Sequence, residues 1–188
     1  LNVITETDGA ITISRETSKQ LRLWLKNHGP KSNRQFKIDY FKLGADVQSI
    51  LPSQGKSSNT VLVLEQLQVG ISFLMVGTLE PRKAYEEVLE AFERLWQEGL
   101  PLKLVFVGKQ GWMVEGLVGK LRSHPELNRL LFWLEEISDV DLVKVYGSCT
   151  CLIAASYGEG FGLPLIEAAQ HKLPIIARDI PIFREVAG

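Results

Sequence analysis

Cysteine is almost absent: Cys149 and Cys151 are the only two in 188 residues. Two positions apart in a strand they would share one face, where i, i+2 neighbours rarely reach disulfide geometry, so both are expected to be reduced core residues. Histidine is nearly as scarce. His28, His124 and His171 are scattered and show no metal-ligand spacing with the cysteines, which argues against a zinc site. Neither sign of charge dominates, since 21 basic and 22 acidic residues leave a formal charge of −1, and the basic footprint of a nucleic-acid binder is missing. No uninterrupted apolar run approaches the roughly 18 residues of a membrane span, and no charged-then-apolar signal stretch opens the sequence. A cytoplasmic location is the default expectation. Apolar side chains are plentiful at 45%, enough for the core of one domain plus an appendage. The sequence opens on Leu1 and stops at Gly188 as a helix is building. Both ends read as cuts through a longer protein, and the isolated piece is expected to be inactive.

Residues 10–14 read as a short strand, followed by a helix from about Ser14 to Lys26 carrying Leu21, Leu23, Trp24 and Leu25. Phe36 to Phe41 alternates loosely, like another strand. Ser53-Gln-Gly-Lys-Ser-Ser-Asn-Thr60 is small and polar, which marks a loop or linker. The expected division is therefore 1–52, a linker at 53–70, and a domain at 71–188.

From Ser72 onward strands and helices alternate. Phe73–Val76 reads as a strand, and Pro81 to Glu98 as a helix with Tyr85, Val88, Leu89, Phe92, Leu95 and Trp96 on one face. The series continues with a strand at Leu104–Val107, a helix near Val114–Ser123, a strand at Leu130–Trp133 and a helix at Asp139–Tyr146. A strand at Cys151–Ala155, a helix from Pro164 and a strand at Pro174–Ala177 complete it. Continuous Val/Ile/Leu strands between amphipathic helices predict an α/β fold with a doubly wound parallel sheet covered on both faces. Ligands of such sheets bind beyond the carboxyl ends of the strands, which directs attention to the strand-to-helix loops.

In the first of these loops, Val76 to Lys83, Pro81 suits the first helical position and puts Arg82 and Lys83 in the first turn. The positive end of the helix dipole disfavours cations there, so an anion should sit beside them. The plainer alternative pairs them with Glu86 and Glu87 at i, i+4, in the weaker orientation. A phosphate clamp is the favoured reading: Arg82 can engage two oxygens and Lys83 supplies a point charge. The second loop, Val107-Gly-Lys-Gln-Gly-Trp112, has glycines but no G-x-G-x-x-G fingerprint, which disfavours a dinucleotide dehydrogenase. In the third, Asp139 and Asp141 have the look of metal ligands. Ser138 three residues before Asp141 at a helix start is a capping arrangement instead, and no metal is placed there.

The fourth loop is the most informative. Glu159-Gly-Phe-Gly-Leu-Pro-Leu-Ile-Glu167 sets two carboxylates eight positions apart around a glycine turn and a proline-started helix. Gly160 and Gly162 keep side chains away from a ligand, and Pro164 pre-orders a helix whose first N–H groups can meet an anion. Glu167 alone has a bland explanation in the dipole's preference for acids in a first turn. Glu159 beside a phosphate site needs a partner of its own, and a sugar hydroxyl is a suitable one.

These residues resemble the E-x7-E motif of family 4 (group 1) retaining glycosyltransferases of the GT-B fold. The resemblance runs in order from Ser72 to Gly188 and includes Gly77 to Lys83, Gly108 to Trp112, Asp141-Leu142 before Tyr146, and Phe183 to Gly188. Residues 8–45 look like the tail of that family's acceptor domain. The resemblance implies that Arg82 and Lys83 hold the donor diphosphate and that Glu159 meets the transferred sugar. It further implies that Gly77, Thr78, Gly160, and the main chain at Phe161, Gly162 and Leu163 line the donor, with Glu167 on the ribose and the backbone near Ile137 on the base. The sequence departs from the family pattern at Lys172, where glycine is common, and at Arg178, where a small residue is common. The activity implied is metal-independent transfer of a hexose, with UDP-glucose or GDP-mannose as donor, to a saccharide or lipid-linked saccharide. The nucleotide sugar is a substrate and no cofactor is expected, while peripheral membrane contact would come through a missing N-terminal domain. Alternatives are a non-catalytic nucleotide-sugar-binding module and a GT-B-like sugar epimerase.

Overall fold

The computed structural model describes residues 4, 6–30, 36–44 and 58–188. Among them the elements follow in the order β1 (Gly9–Thr12), α1 (Arg15–His28), β2 (Lys37–Tyr40), α2 (Ser58–Leu67), β3 (Ser72–Val76), a 3-10 turn (Pro81–Lys83), α3 (Tyr85–Gln97), β4 (Lys103–Val107), α4 (Glu115–Arg122), β5 (Leu131–Leu134), α5 (Asp139–Ser148), β6 (Cys151–Ala154), α6 (Leu163–Gln170), β7 (Ile175–Ala177) and α7 (Pro181–Ala187).

Five of the strands form one sheet in the order β5-β4-β3-β6-β7, and every pairing in it is parallel. The doubly wound α/β expectation therefore holds. Period-two alternation sorts the strand residues onto two faces. Leu74, Val105, Val107, Phe132, Leu134 and Leu152 meet Val63 and Leu67 of α2, Val145 and Tyr146 of α5, and Ala168 of α6. Met75, Leu104, Phe106 and Leu131 meet Tyr85, Leu89 and Phe92 of α3 and Leu117, Val118 and Leu121 of α4. Both faces are covered, which explains why these strands carry continuous apolar runs rather than alternating ones.

The linker reading needs correction. Residues 53–57 lie outside the described residues, but Ser58–Leu67 is a helix. Ser58, Asn59 and Thr60 have loop chemistry, yet burial of Val63 and Leu67 against the sheet decides the local structure. The cysteine reading is corrected in part: both thiols are free and buried, but Cys149 caps the end of α5 and only Cys151 lies in a strand.

A separate two-stranded parallel sheet joins β1 to β2, from Gly9↔Lys37 to Thr12↔Tyr40, with α1 as the crossover. Ser14 caps α1 by accepting from Thr17 N at 3.1 Å. The Glu185 carboxylate of α7 accepts from Arg15 N at 2.9 Å and Glu16 N at 2.8 Å. Three N–H groups that a helix start leaves unpaired are thus satisfied, two of them from the far end of the chain. This ties the start of α1 to α7, which packs beside the five-stranded sheet.

Candidate functional site

In the five-stranded sheet, β3 and β6 are neighbours, paired through Phe73↔Cys151 and Leu74↔Leu152. The chain runs outward from β3 through β4 to β5, then returns to lay β6 and β7 on the other side. The carboxyl ends of β3 and β6 therefore flank the point where strand order reverses, the crevice in which open α/β sheets bind ligands. The loops that leave these two ends are the two carrying Arg82, Lys83 and Glu159.

The loop after β3 begins at Gly77, which has φ of +131°. A Cβ there would lie 2.7 Å from the Lys83 ammonium, so glycine leaves room for the lysine as well as supplying the backbone angle. The buried Tyr85 hydroxyl donates to the Gly77 carbonyl at 2.6 Å. Gly108, at φ +148°, backs this turn so closely that a Cβ would sit 2.1 Å from the same carbonyl oxygen. Thr78 is exposed beside it. A continuous helix from Pro81 does not form: Pro81–Lys83 is a single 3-10 turn, and Ala84, in the left-handed region at φ +58°, separates it from α3. Arg82 and Lys83 thus stand before the helix, and its first turn holds Glu86 and Glu87. This removes the dipole conflict inferred from the sequence. The i, i+4 alternative fails too, because the two basic residues pair elsewhere.

They pair with Glu159. Lys83 Nζ donates to Glu159 Oε1 at 2.9 Å and Arg82 Nη1 to Oε2 at 2.7 Å. Arg82 also reaches the Gly158 carbonyl at 2.9 Å and Glu80 Oε2 at 2.8 Å. Tyr157 N donates to the Arg82 carbonyl at 2.8 Å, so a backbone bond stitches the two loops together. Ser156 Oγ donates to Glu159 Oε1 at 2.8 Å. The side chains of Lys83 and Glu159 are only 11% and 10% exposed, against 42% for Arg82. Glu159 was expected to have a partner separate from the basic pair, whereas the carboxylate itself holds both cations.

Burial alone would raise the Glu159 pKa, but hydrogen bonds from Lys83, Arg82 and Ser156 and the lysine's charge outweigh it and hold the carboxyl below its ordinary range. A depressed folded-state pKa contributes stability that is fully present above the unfolded value, about 4.3, and is lost as pH falls through the folded one. The denaturation midpoint of Glu159→Gln should therefore lie below that of the parent protein at pH 7, and the gap should close on acidification below about 4. A gap independent of pH would refute the assignment.

Beyond Glu159 the loop turns through Gly160 and the buried Phe161 to Gly162. Gly162, at φ +96°, is the N-cap of α6 and gives it no side-chain cap. A Cβ on Gly162 would meet the Phe183 ring at 3.1 Å. Leu163 opens α6 and is exposed. Lys83, Tyr85, Ser156, Glu159, Gly162 and Pro164 line one pocket. The amino-terminal piece touches the same loop, where Thr17 Oγ1 donates to the Gly160 carbonyl at 3.2 Å.

Glu167 lies past the first turn of α6, which contains no acid, so the dipole does not explain it. Its Oε2 accepts from the Tyr146 hydroxyl at 2.6 Å. Ile137 is half-buried against the core at the end of the loop after β5. Next to it, Ser138 Oγ accepts from Asp141 N at 3.1 Å and Asp141 pairs with Lys144 at 2.9 Å, the capping role expected of that segment. No group of three or more His, Cys, Asp or Glu residues placed to hold a metal ion occurs among the described residues.

The two departures from the family pattern have visible consequences. Lys172 adopts φ +55°, where glycine is unstrained, a physical reason for glycine at this position. Arg178 Nε donates to the Ala155 carbonyl at 2.6 Å, and its guanidinium stacks 3.9 Å from the Tyr157 ring centroid. Sequence reasoning missed Ser156, Glu80 and Tyr85. Ser156, between a buried strand and a loop glutamate, had a readable position. Tyr85 did not, because helical periodicity counts it as apolar core.

The family described as "Glycosyl transferases group 1" matches residues 69–188, and the chain belongs to it. A serotype-specific mannosyltransferase, WbdA, of Escherichia coli is 49% identical over 182 residues, which are 96% of this chain and 22% of that protein. A D-inositol 3-phosphate glycosyltransferase of Rhodococcus erythropolis is 27% identical over 95% of this chain and 40% of its own length. The chain thus spans less than half the length of these relatives. Among solved structures, Anabaena HepE in complex with UDP-glucose superposes with a TM-score of 0.67 at 15% identity, over 98% of this chain and 48% of that one. The pneumococcal O-GlcNAc transferase GtfA in complex with UDP and GlcNAc gives 0.60 at 22% identity, over 94% and 31%. At these identities the likeness is one of fold. No helix among the described residues is long and apolar enough to cross a membrane.

Proposed function

We propose that this chain forms the nucleotide-sugar half of a retaining hexosyltransferase, and that its donor is a nucleoside diphosphate mannose. The observation that carries the reading is the junction of Arg82, Lys83 and Glu159 at 2.7 and 2.9 Å, beside the start of α6, where Gly162 supplies no side-chain cap. Of the two donors expected from the sequence, GDP-mannose is favoured over UDP-glucose by the mannosyltransferase relatives. Support for a nucleotide-sugar ligand comes from the group 1 family match.

Lys83, Arg82 and the main-chain N–H groups of Gly162 and Leu163 at the start of α6 receive the diphosphate, and their positive charge stabilises the leaving group without a divalent cation. Glu159, displaced from the cations by phosphate, turns to a hydroxyl of the hexose and orients it, forming no covalent bond. Glu167 takes the ribose and the backbone near Ile137 the base. The acceptor oxygen bonds to the anomeric carbon on the face from which the diphosphate leaves, a phosphate oxygen takes the hydroxyl proton as the sugar–phosphate C–O bond breaks, and the configuration is retained. The acceptor is a saccharide or lipid-linked saccharide.

Thermal unfolding in EDTA tests the binding half of this reading, because a ligand of the folded state raises the melting temperature with its concentration. GDP-mannose and GDP are expected to stabilise the chain. If they leave it unchanged while a divalent cation restores an effect, the metal-free reading is wrong. If no nucleotide sugar acts under any condition, the donor-binding reading itself is wrong.

A further inference from the structure

Tyr146 is 2% exposed, in the helix between β5 and β6, and no step above uses it. Its hydroxyl meets Glu167 Oε2 at 2.6 Å, the short separation of an O–H donor on a charged oxygen. Its ring stacks on His171 with centroids 5.4 Å apart and planes 3° apart, so it is gripped between the carboxylate and the end of α6. Ser138 anchors the start of its helix through Asp141 N. Burial, with the negative charge of Glu167 beside it, pushes the phenol's pKa up, and Tyr146 remains a donor at every physiological pH. Glu167 Oε1 takes none of the hydrogen bonds among the described residues.

We infer that Tyr146 is a positioning residue that locks Glu167 in one rotamer, occupying Oε2 so that Oε1 is presented to a ribose, and thereby sets the preference for a ribonucleotide over a nucleotide lacking ribose hydroxyls. This rests on the donor-binding reading above. A carboxylate on a flexible stem of three rotatable bonds must be ordered before it accepts from a ligand hydroxyl, and the ordering weakens binding. A buried donor that has already fixed the carboxylate removes that cost. The predicted effect is confined to ligands with the hydroxyls.

The test is calorimetric titration of the full chain and of Tyr146→Phe with GDP and UDP, each beside its dideoxyribose analogue. Phenylalanine keeps the ring that stacks on His171. The parent is expected to prefer the ribonucleotide by roughly tenfold, and Tyr146→Phe to lose most of that preference by weakening ribonucleotide binding alone. Glu167→Gln should lose it as well, and the double variant should be no worse than Glu167→Gln, since the two act as one unit. Equal weakening of both nucleotides by Tyr146→Phe, or no change in either, would overturn the inference and leave the donor reading standing. Failure of the parent to bind any nucleotide would overturn both.

Discussion

Replacement of Glu159 by alanine in the complete enzyme is expected to lower turnover by about 10²–10³-fold while leaving affinity for the nucleoside diphosphate unchanged or tighter. The direction of the second effect follows from the resting geometry. Glu159 neutralises Lys83 and Arg82 at 2.9 and 2.7 Å, so a diphosphate must displace it, and deletion removes the competitor. The loss in turnover has a different origin: without the carboxylate the hexose has no acceptor for its hydroxyl at the reacting end and samples unproductive orientations. Steady-state kinetics and GDP titration of the same variant separate the two. Turnover at the parent level would contradict the role given to Glu159, and a large loss of GDP affinity would make it a binding residue instead.

Lys83→Ala should damage the enzyme more broadly, with kcat/KM falling by about 10²–10³-fold and the donor KM rising. Lys83 is nearly buried, and its removal leaves the equally buried Glu159 with only the half-exposed Arg82 and the Ser156 hydroxyl. Burial, now opposed by less, raises the Glu159 pKa relative to the parent, so the acid limb of the pH-rate profile should move to higher pH. Arg82→Ala is expected to cost about tenfold, because that side chain is open to water and keeps a second partner in Glu80. Equal losses in the two variants, or an unmoved acid limb in Lys83→Ala, would contradict this ordering.

The sheet was readable because its signal is redundant. Leu104 to Val107 and Cys151 to Ala154 are buried on both faces, and the helices between them carry apolar stripes that only a parallel, covered sheet satisfies. The errors fall where tertiary packing overrides local chemistry. Ser58, Asn59 and Thr60 look like a loop, but Val63 and Leu67 find the sheet. Pro81 looks like a helix start, but Ala84 turns left-handed, and no residue pattern marks an alanine for φ +58°.

The candidate site was legible as three charged residues and two glycine turns, and the structure brings those residues together at the reversal of strand order. Their pairing was not legible. Sequence separation hides that Glu159 reaches back 76 residues to Lys83, and a basic pair and an acidic loop can equally serve two separate ligand groups. The hydroxyl partners of Tyr85 and Tyr146 stayed hidden for another reason: each ring is apolar by periodicity and polar only at its tip, and where the tip points is settled by packing. Arg178 fills the space a smaller residue would leave, and its stack on Tyr157 depends on a neighbour from a different strand end.

A crystal structure of the chain with GDP-mannose tests the central claim most directly. Phosphate oxygens within hydrogen-bonding distance of Lys83 Nζ and of the α6 N-terminus, with Glu159 moved from the cations onto a hexose hydroxyl, are expected. A diphosphate bound elsewhere while Glu159 still grips both Lys83 and Arg82 would contradict the account.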